Sequence, residues 1–480
     1  MSIFLLLLTF VFILFNTYKF KPNNANLKVE LVEQIPIPVG AVERMTEAIS
    51  IRTVSFEEEV DFDSTQFQLF NNFLSENYPT LHLKAEHKIF STYSHLYKLI
   101  GKQPSKKPIL IMGHHDVVPI ASPALWNVHP FTEGIKNDTI FGRGCIDDKG
   151  AVISILESIE QLLKEGFEPE RTIYFAFGHD EEVSGRRGAA KISKYLEESK
   201  IELAFVLDEG GAITQGLVPG MQENIALIGI AEKGYVTFEL ETQMVGGHSS
   251  QPGNETSIDV LATAISKLKQ NPLPRKMTPV LKAFMNELGP YMGFKERMVF
   301  ANKWLFNSLI LNEYGKSNQG NASIRTTTAP TIFEAGIKEN VIPTASRAVV
   351  NFRIIPGETI ETVKEHILKV IADDRVSINL KGDGFNPSPI SPMENDAYQL
   401  ISKSIKEIFP NVIISPNLVL GATDSRYYSK VCPNVYRFAP FKLTPKNINC
   451  FHGVDERIPK EEFENAIRFY RQVIINGSHI

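Results

Sequence analysis

Apolar positions along the chain fall into two textures. Between about residues 40 and 232, short continuous apolar runs alternate with stretches of helical period. "KPILIMGHHD" carries Ile109, Leu110, Ile111 and Met112 in succession, which predicts a strand buried on both faces. In "DDKGAVISILESIEQLLKEG", Val152, Leu156, Ile159 and Leu163 share one helical face, and Gly166 stands where a helix stops. "RTIYFAFG", "AAKISKYLEESK" and "LAFVLDEGG" continue as strand, helix and strand. That order predicts βαβ units, and so an α/β fold with a mainly parallel, helix-covered sheet. From Gly234 the pattern changes. "GYVTFELET" alternates with period two, as a half-exposed strand does. A helix at "SIDVLATAISKLKQ", strands near "TIFEAGI" and "SRAVVNFRIIPG", and a helix at "ETIETVKEHILKVIAD" complete a smaller α+β unit.

The pattern thus divides the chain into a main domain in two parts, 40–232 and 383–480, with a lid domain at 233–382 inserted between them. Inside the lid, residues 276–317 form an aromatic-rich helical insertion. It packs on its own domain or walls a site for an apolar substrate group. At the N-terminus, "IFLLLLTFVFILF" holds thirteen residues with only Thr9 polar. That is short of the roughly 17–25 residues of a spanning helix and suits a signal sequence. Residues 1–24 are therefore read as a hydrophobic signal or membrane anchor, and the protein as exported or membrane-anchored.

Composition narrows the partners. Fifty basic and 55 acidic residues give a net charge of −5, with no basic stripe, so a nucleic-acid partner is excluded. Cys145, Cys432 and Cys450 form neither a disulfide framework nor a zinc-finger spacing. A small-molecule or peptide partner is left.

The chemistry collects at strand ends. "GHHDVVP" closes one apolar run with His114, His115 and Asp116, "GHDEE" the next with Glu181 and Glu182, and "LDEGG" the third with Asp208 and Glu209. Ligands of open parallel sheets bind beyond the carboxyl ends of the strands, so these groups should meet. Asp147 and Asp148 precede the long helix, where Asp148 alone could be an N-cap. His452 in "CFHGVDERIP" adds another imidazole. Crowded carboxylates repel, and divalent cations remove the repulsion; carboxylates with imidazoles suit zinc.

In "GHHDVVP", "GRGCIDDKG", "HDEEVSG", "LDEGG", "GGHSSQPG", "NVIP", "NFRIIPG", "GATDSRYY" and "HGVDERI", the sequence closely resembles the di-zinc aminoacylase/carboxypeptidase S family of metallopeptidases. The likeness runs over nearly the whole chain after residue 40 and is nearest to the carboxypeptidase S branch, which includes hydrolases of N-fatty-acyl amino acids. The resemblance implies two zinc ions, with cobalt or manganese fitting the same ligands. His114 would bind one zinc with Asp116 orienting it, Asp147 would bridge both, and Glu182 and His452 would hold the second. A cis peptide would join Asp147 to Asp148. The remaining ligand comes from "LDEGG". Side chains alternate along a strand, so Asp208 and Glu209 do not both serve, and Asp208 is favoured.

By the same resemblance Glu181 is the general base, His248 donates to the oxyanion, across a dimer interface through the lid, and Asn340 and Arg353 bind substrate. Thr423, Asp424, Ser425 and Arg426 line the carboxylate pocket. His115, His179 and Cys145 are bystanders. The implied activity is hydrolysis of an amide or peptide bond next to a free C-terminal carboxylate, in a short peptide or an N-acyl amino acid. The alternative is a membrane-tethered binding protein without catalysis, which the complete ligand set and Glu181 argue against.

Overall fold

The computed structural model describes residues 2–22, 29, 32, 34–57, 61–132 and 134–479. In chain order its main elements begin with α1 (Ser2–Lys19), β1 (Glu86–Phe90), β2 (Ser94–Leu99), β3 (Ile109–His114), α2 (Lys149–Lys164), β4 (Ile173–Gly178) and α3 (Ala189–Glu198). There follow β5 (Phe205–Asp208), β6 (Ala212–Gln215), β7 (Asn224–Glu232), β8 (Gly234–Gln243), α4 (Ser257–Gln270), α5 (Pro279–Leu288), α6 (Phe294–Ala301), α7 (Lys303–Tyr314) and β9 (Thr327–Ala335). The rest are β10 (Ala345–Ile354), α8 (Ile360–Ile371), β11 (Val376–Phe385), α9 (Asp396–Ile408), β12 (Ile413–Val419), β13 (Val435–Arg437), β14 (Lys442–Leu443) and α10 (Lys460–His479).

The large sheet runs β1-β2-β4-β3-β5-β13-β7-β6-β14, with β12 also paired to β7. From β4 through β3 and β5 to β13 every pairing is parallel. The continuous apolar runs explain the layering. Along β3, Ile109 and Ile111 pack into the core shared with α2 and α10, while Leu110 and Met112 turn to the opposite face against Ile192 and Leu196 of α3. A strand sandwiched between helices has no wet face, so it needs no polar alternation. Gly166 ends α2 at φ 87°, a left-handed position that suits glycine.

The second sheet, β9-β10-β8-β11, is antiparallel throughout and carries α4 and α8 over a separate core that includes Phe238, Leu261, Phe352 and Ile367. The helical insertion does not pack only on this unit. Val280 of α5 joins the core of the large sheet, and Leu288 closes on Met221 and Ile225 beside β7. The reason is the apolar stripe Val280, Leu281, Met285 and Leu288, which is wide enough to be covered from two sides.

The apolar N-terminus forms α1, which docks on the insertion. Ile13 and Thr17 are buried there, and Asn302 donates to Ile13 O at 3.2 Å and to Thr17 Oγ1 at 3.3 Å. Among the described residues no helix is long and apolar enough to cross a membrane, so the spanning reading of residues 1–24 is withdrawn. Residues 1, 23 and 24 of that segment lie outside the described residues.

A chain of histidines stitches β1 and β2 to the helices behind them. His95 Nε2 donates to Asn71 Oδ1 at 2.8 Å, which leaves His95 Nδ1 to accept from His87 Nε2 at 3.0 Å. Burial lowers His87 to about 4 and pushes His95 well below the ordinary imidazole value of 6.5. Both are therefore neutral in the folded chain at pH values where the unfolded chain is protonated. Stability is complete above the unfolded pKa and is lost as pH falls below it, with a slope of up to about 1.4 kcal/mol per pH unit for each such group. Urea midpoints are expected to fall between pH 7 and pH 5, and His95→Phe, which cannot take up a proton, to flatten that fall. An unchanged slope in the variant would assign the acid sensitivity to other groups.

Candidate metal centre

The carboxyl ends of β4, β3 and β5 lie side by side, and each delivers part of one cluster. His114 is the last residue of β3, Glu181 and Glu182 form the turn after β4, and Glu209 follows β5. Asp147 and Asp148, joined by a cis peptide, stand at the start of α2. His452 comes from the loop before α10.

Two groups of donor atoms share one carboxylate. His114, Asp147 and Glu209 form the first and Asp147, Glu182 and His452 the second, with all donor atoms of a group within 4.8 Å of one another. Asp147 turns Oδ1 to His114 Nε2 at 3.0 Å and Oδ2 to His452 Nε2 at 2.7 Å. Glu182 Oε1 lies 3.4 Å from His452 Nε2 and has no hydrogen-bond partner of its own.

The electrostatics are those of a site with too many buried acids. Burial pushes Glu209 well above the usual carboxylate range, with Asp147 adding to it. Burial and the Asp147 charge likewise lift Glu182 to about 7. The hydrogen bond to Asp147 and the nearby Glu182 carboxylate raise His452 to about 10. Asp147 is also buried, yet the two histidines hold it below the usual range. An orphaned carboxylate oxygen, two imidazoles and three carboxylates converging in pairs fit divalent cations of the zinc type.

Around the cluster, polar groups set the loops. Asp116 accepts from Glu181 N and Glu182 N, both at 3.1 Å, and from Ser55 Oγ at 2.7 Å, while His114 Nδ1 lies 3.3 Å from its Oδ1. One buried aspartate thus orients the imidazole and both glutamates. Asp148 occupies the N-cap of α2 without capping it; its Oδ2 accepts from His114 N at 3.3 Å instead. Gly113 makes that approach feasible, because a Cβ there would stand 2.5 Å from Asp148 Oδ2.

Two residues in the quoted motifs went unassigned in the sequence. Glu456 Oε1 accepts from Gly144 N, Ile146 N and Asp147 N at 3.1, 2.8 and 3.2 Å, and its Oε2 accepts from Arg143 Nη1 at 2.6 Å. Arg143 Nη2 also donates to His452 O and Gly453 O at 3.2 and 3.0 Å. This buried pair ties the Asp147 loop to the His452 loop, which are more than 300 positions apart. Their presence in "GRGCIDDKG" and "DERI" was the only signal, since nothing local says that the two motifs touch.

The cluster opens into a cavity of about 2740 Å³ between the two sheets, whose wall includes Glu181, Arg353, Thr423 and Arg426. That is larger than an ordinary ligand pocket of roughly 300–1,000 Å³, as a cleft between two units is. Arg426 Nη1 lies 4.0 Å from Glu181 Oε1, and Arg353 stacks over Tyr235 with its guanidinium carbon 4.8 Å from the ring centre. Met292, Phe300 and Ile310 of the insertion form an apolar part of the same wall.

Not every expected residue is there. Asp208 belongs to neither donor group; it points away along the strand alternation and accepts from Ser425 N at 2.8 Å, so Glu209 takes the place favoured for Asp208. Asp424 and Ser425 do not line the cavity but are buried behind it, Asp424 under Gly178 and Gly185. His248 and Asn340 meet on the unit of the second sheet, where Ser249 N donates to Asn340 O at 3.2 Å, but both are exposed and outside the cavity wall. His115 and His179 are buried beside the cluster without joining it, and Cys145 is buried as a free thiol.

Residues 110–476 match the model of peptidase family M20/M25/M40. The chain belongs to the M20 peptidase family. It is 39% identical over 459 residues to an N-fatty-acyl-amino acid synthase/hydrolase, PM20D1, of Xenopus tropicalis, covering 95% of this chain and 89% of that one. It is also 39% identical to a probable carboxypeptidase S-like 2 of Dictyostelium discoideum, over 91% of this chain and 85% of the relative. Among solved structures, the M20 family metallo-carboxypeptidase Sso-CP2 from Sulfolobus solfataricus superposes with a TM-score of 0.68 at 18% identity, covering 92% of this chain and 99% of that one. The protein is thus an enzyme of the metallopeptidase and amidohydrolase class, on the helix-covered α/β fold of its M20 relatives, and the family is metal-dependent.

Proposed function

We propose that this M20 enzyme hydrolyses the amide bond of N-acyl amino acids or short peptides that end in a free carboxylate. The observation that carries the reading is Asp147, shared between two donor groups, beside Glu181 in a cavity that also presents Arg353. His114, Asp147 and Glu209 would hold one divalent cation, and Asp147, Glu182 and His452 a second, with zinc suited to these donors and cobalt or manganese also fitting. Such a cation pair supplies positive charge that acidifies water, polarises the scissile carbonyl and offsets the carboxylate crowding.

The protein's own groups do the rest. Glu181 takes the proton of the attacking water and hands it to the leaving nitrogen as the C–N bond breaks. Asp116 holds the Glu181 and Glu182 backbone in place for this. Arg353 receives the substrate carboxylate through its planar fork of donors. The apolar wall from the insertion supports a hydrophobic acyl group or side chain at the other end. In this reading residues 233–382 act as the lid, and His248 and Asn340 serve a second copy through a lid-mediated homodimer.

The test is release of free amino acid from a panel of dipeptides and short- and long-chain N-acyl amino acids, with C-terminally amidated versions beside them. Arg353→Ala is expected to cut kcat/KM for the free acids by about 10–100-fold, the worth of a charge-assisted hydrogen bond, and to leave the amides nearly unchanged. Equal losses on acids and amides would remove Arg353 as the carboxylate partner. No release from any panel member by cation-loaded protein would overturn the proposed activity.

A further inference from the structure

On the second sheet, three neighbouring strands each place one side chain in a single row along the cavity. Tyr235 of β8 is paired with Arg353 of β10 on one side and with Phe385 of β11 on the other. Directly opposed residues share a face of a sheet, and all three line the cavity wall. The guanidinium carbon of Arg353 lies 4.8 Å from the Tyr235 ring centre, and the Tyr235 and Phe385 rings stack with centres 6.0 Å apart. Among the described residues no carboxylate or carbonyl engages the Arg353 guanidinium, so the Tyr235 ring is its support and its donors stay open.

The row ends on the unit of the large sheet. Arg426 lies over Phe385 with its guanidinium carbon 4.9 Å from the ring centre. Unlike Arg353, it is held on its own side: Nη1 donates to Thr423 O at 2.7 Å and Nη2 to Ser184 O at 2.6 Å. Ser184 closes the turn that carries Glu181, and Arg426 Nη1 stands 4.0 Å from Glu181 Oε1. Two rings between two arginines thus connect the second sheet to the Glu181 turn.

The backbone of β11 is shaped for this contact. Between the pairs Thr237 with Lys381 and Tyr235 with Phe385, β8 advances two residues and β11 four. Gly382 and Gly384 take up the extra length at φ 71° and 62°, a left-handed region that suits glycine. In unbroken register Asp383 would stand opposite Tyr235, and its carboxylate would compete for Arg353. The bulge puts Phe385 there instead and turns Asp383 outward to Arg186, 3.0 Å away.

We infer that Tyr235 and Phe385 are positioning residues, which hold Arg353 open for a substrate carboxylate and set its place relative to Glu181 through Arg426. The inference rests on the role proposed for Arg353 and adds what keeps that residue in register with the other unit. Neither ring belongs to a donor group, so cation content should match the parent in every variant below.

The experiment uses the cation-loaded full chain and the same panel of free acids and C-terminal amides. Tyr235→Leu and Phe385→Leu should each lower the ratio of kcat/KM on acids to kcat/KM on amides by about 3–30-fold, the range of a partly buried cation–π contact. Tyr235→Phe and Phe385→Tyr keep the rings and should keep the parent ratio. In an Arg353→Ala background the leucine changes should shift the ratio no further, because they act through that arginine. A parent-like ratio in both leucine variants overturns the inference. So does a fall as large in the ring-keeping variants, or an undiminished further fall without Arg353. A ratio that Arg353→Ala itself leaves unchanged overturns it together with the role of Arg353, and leaves the amide hydrolysis standing. No release from any panel member by the parent overturns the proposed activity and the inference with it.

Discussion

Glu181→Ala is expected to lower kcat by about 10²–10⁴-fold, the usual worth of a positioned general base, while KM and cation content stay close to the parent. Glu181 is suited to that role by its surroundings. Burial raises its carboxyl well above the ordinary range, with Asp424 and Glu182 adding to the effect, so it readily accepts a proton. Its backbone is fixed through Asp116, and it belongs to neither donor group. Removing it should therefore cost chemistry and not assembly. Glu181→Gln keeps the shape and loses the base, and should be as slow as the alanine variant. A drop of less than about tenfold in both, with cations retained, would mean that another group takes the proton.

Asp147→Ala should be harsher, because both donor groups lose their common member. Cation content, measured by elemental analysis after dialysis, is expected to fall for both sites. Turnover should fall by at least about 10³-fold, since a catalytic cation contributes several kcal/mol and each 1.36 kcal/mol is a factor of ten. Chelation of the parent protein should have the same effect, reversed by zinc, cobalt or manganese, whereas the variant should not be rescued. Full retention of two cations by Asp147→Ala would refute the shared carboxylate. The expected loss also distinguishes Asp147 from Asp148, whose Oδ2 accepts from the backbone of His114.

The candidate site was unevenly legible in the sequence. His114, Glu182 and His452 stood at strand ends or in a marked loop, and the motif order was enough to group them. Asp208 and Glu209 were not separable, because both are acids after the same apolar run. The choice depends on which face of a short strand looks toward β3 and which toward the loop holding Ser425. Arg143 and Glu456 were unassigned for a different reason: each looks like an ordinary charged residue until the fold places them 2.6 Å apart in the interior. Asp424 and Ser425 erred in the other direction, as polar residues of a quoted motif that support the cavity from behind.

What the sequence by itself determined was the layered α/β architecture and the chemistry of the strand ends. Burial on both faces demands unbroken apolar runs, half-burial demands alternation, and a helix face demands its own period; each leaves a local trace. Clustered acids and imidazoles leave one too, because their crowding needs a compensating charge. The tertiary structure alone decided which carboxylate faces the cluster and that the Asp147 and His452 loops share one ion pair. It also set His248 and Asn340 outside this chain's cavity, and laid the N-terminal helix on an insertion nearly 300 residues away. These are relations between distant segments, fixed by how sheets twist and helices pack, and no window of the chain contains both partners.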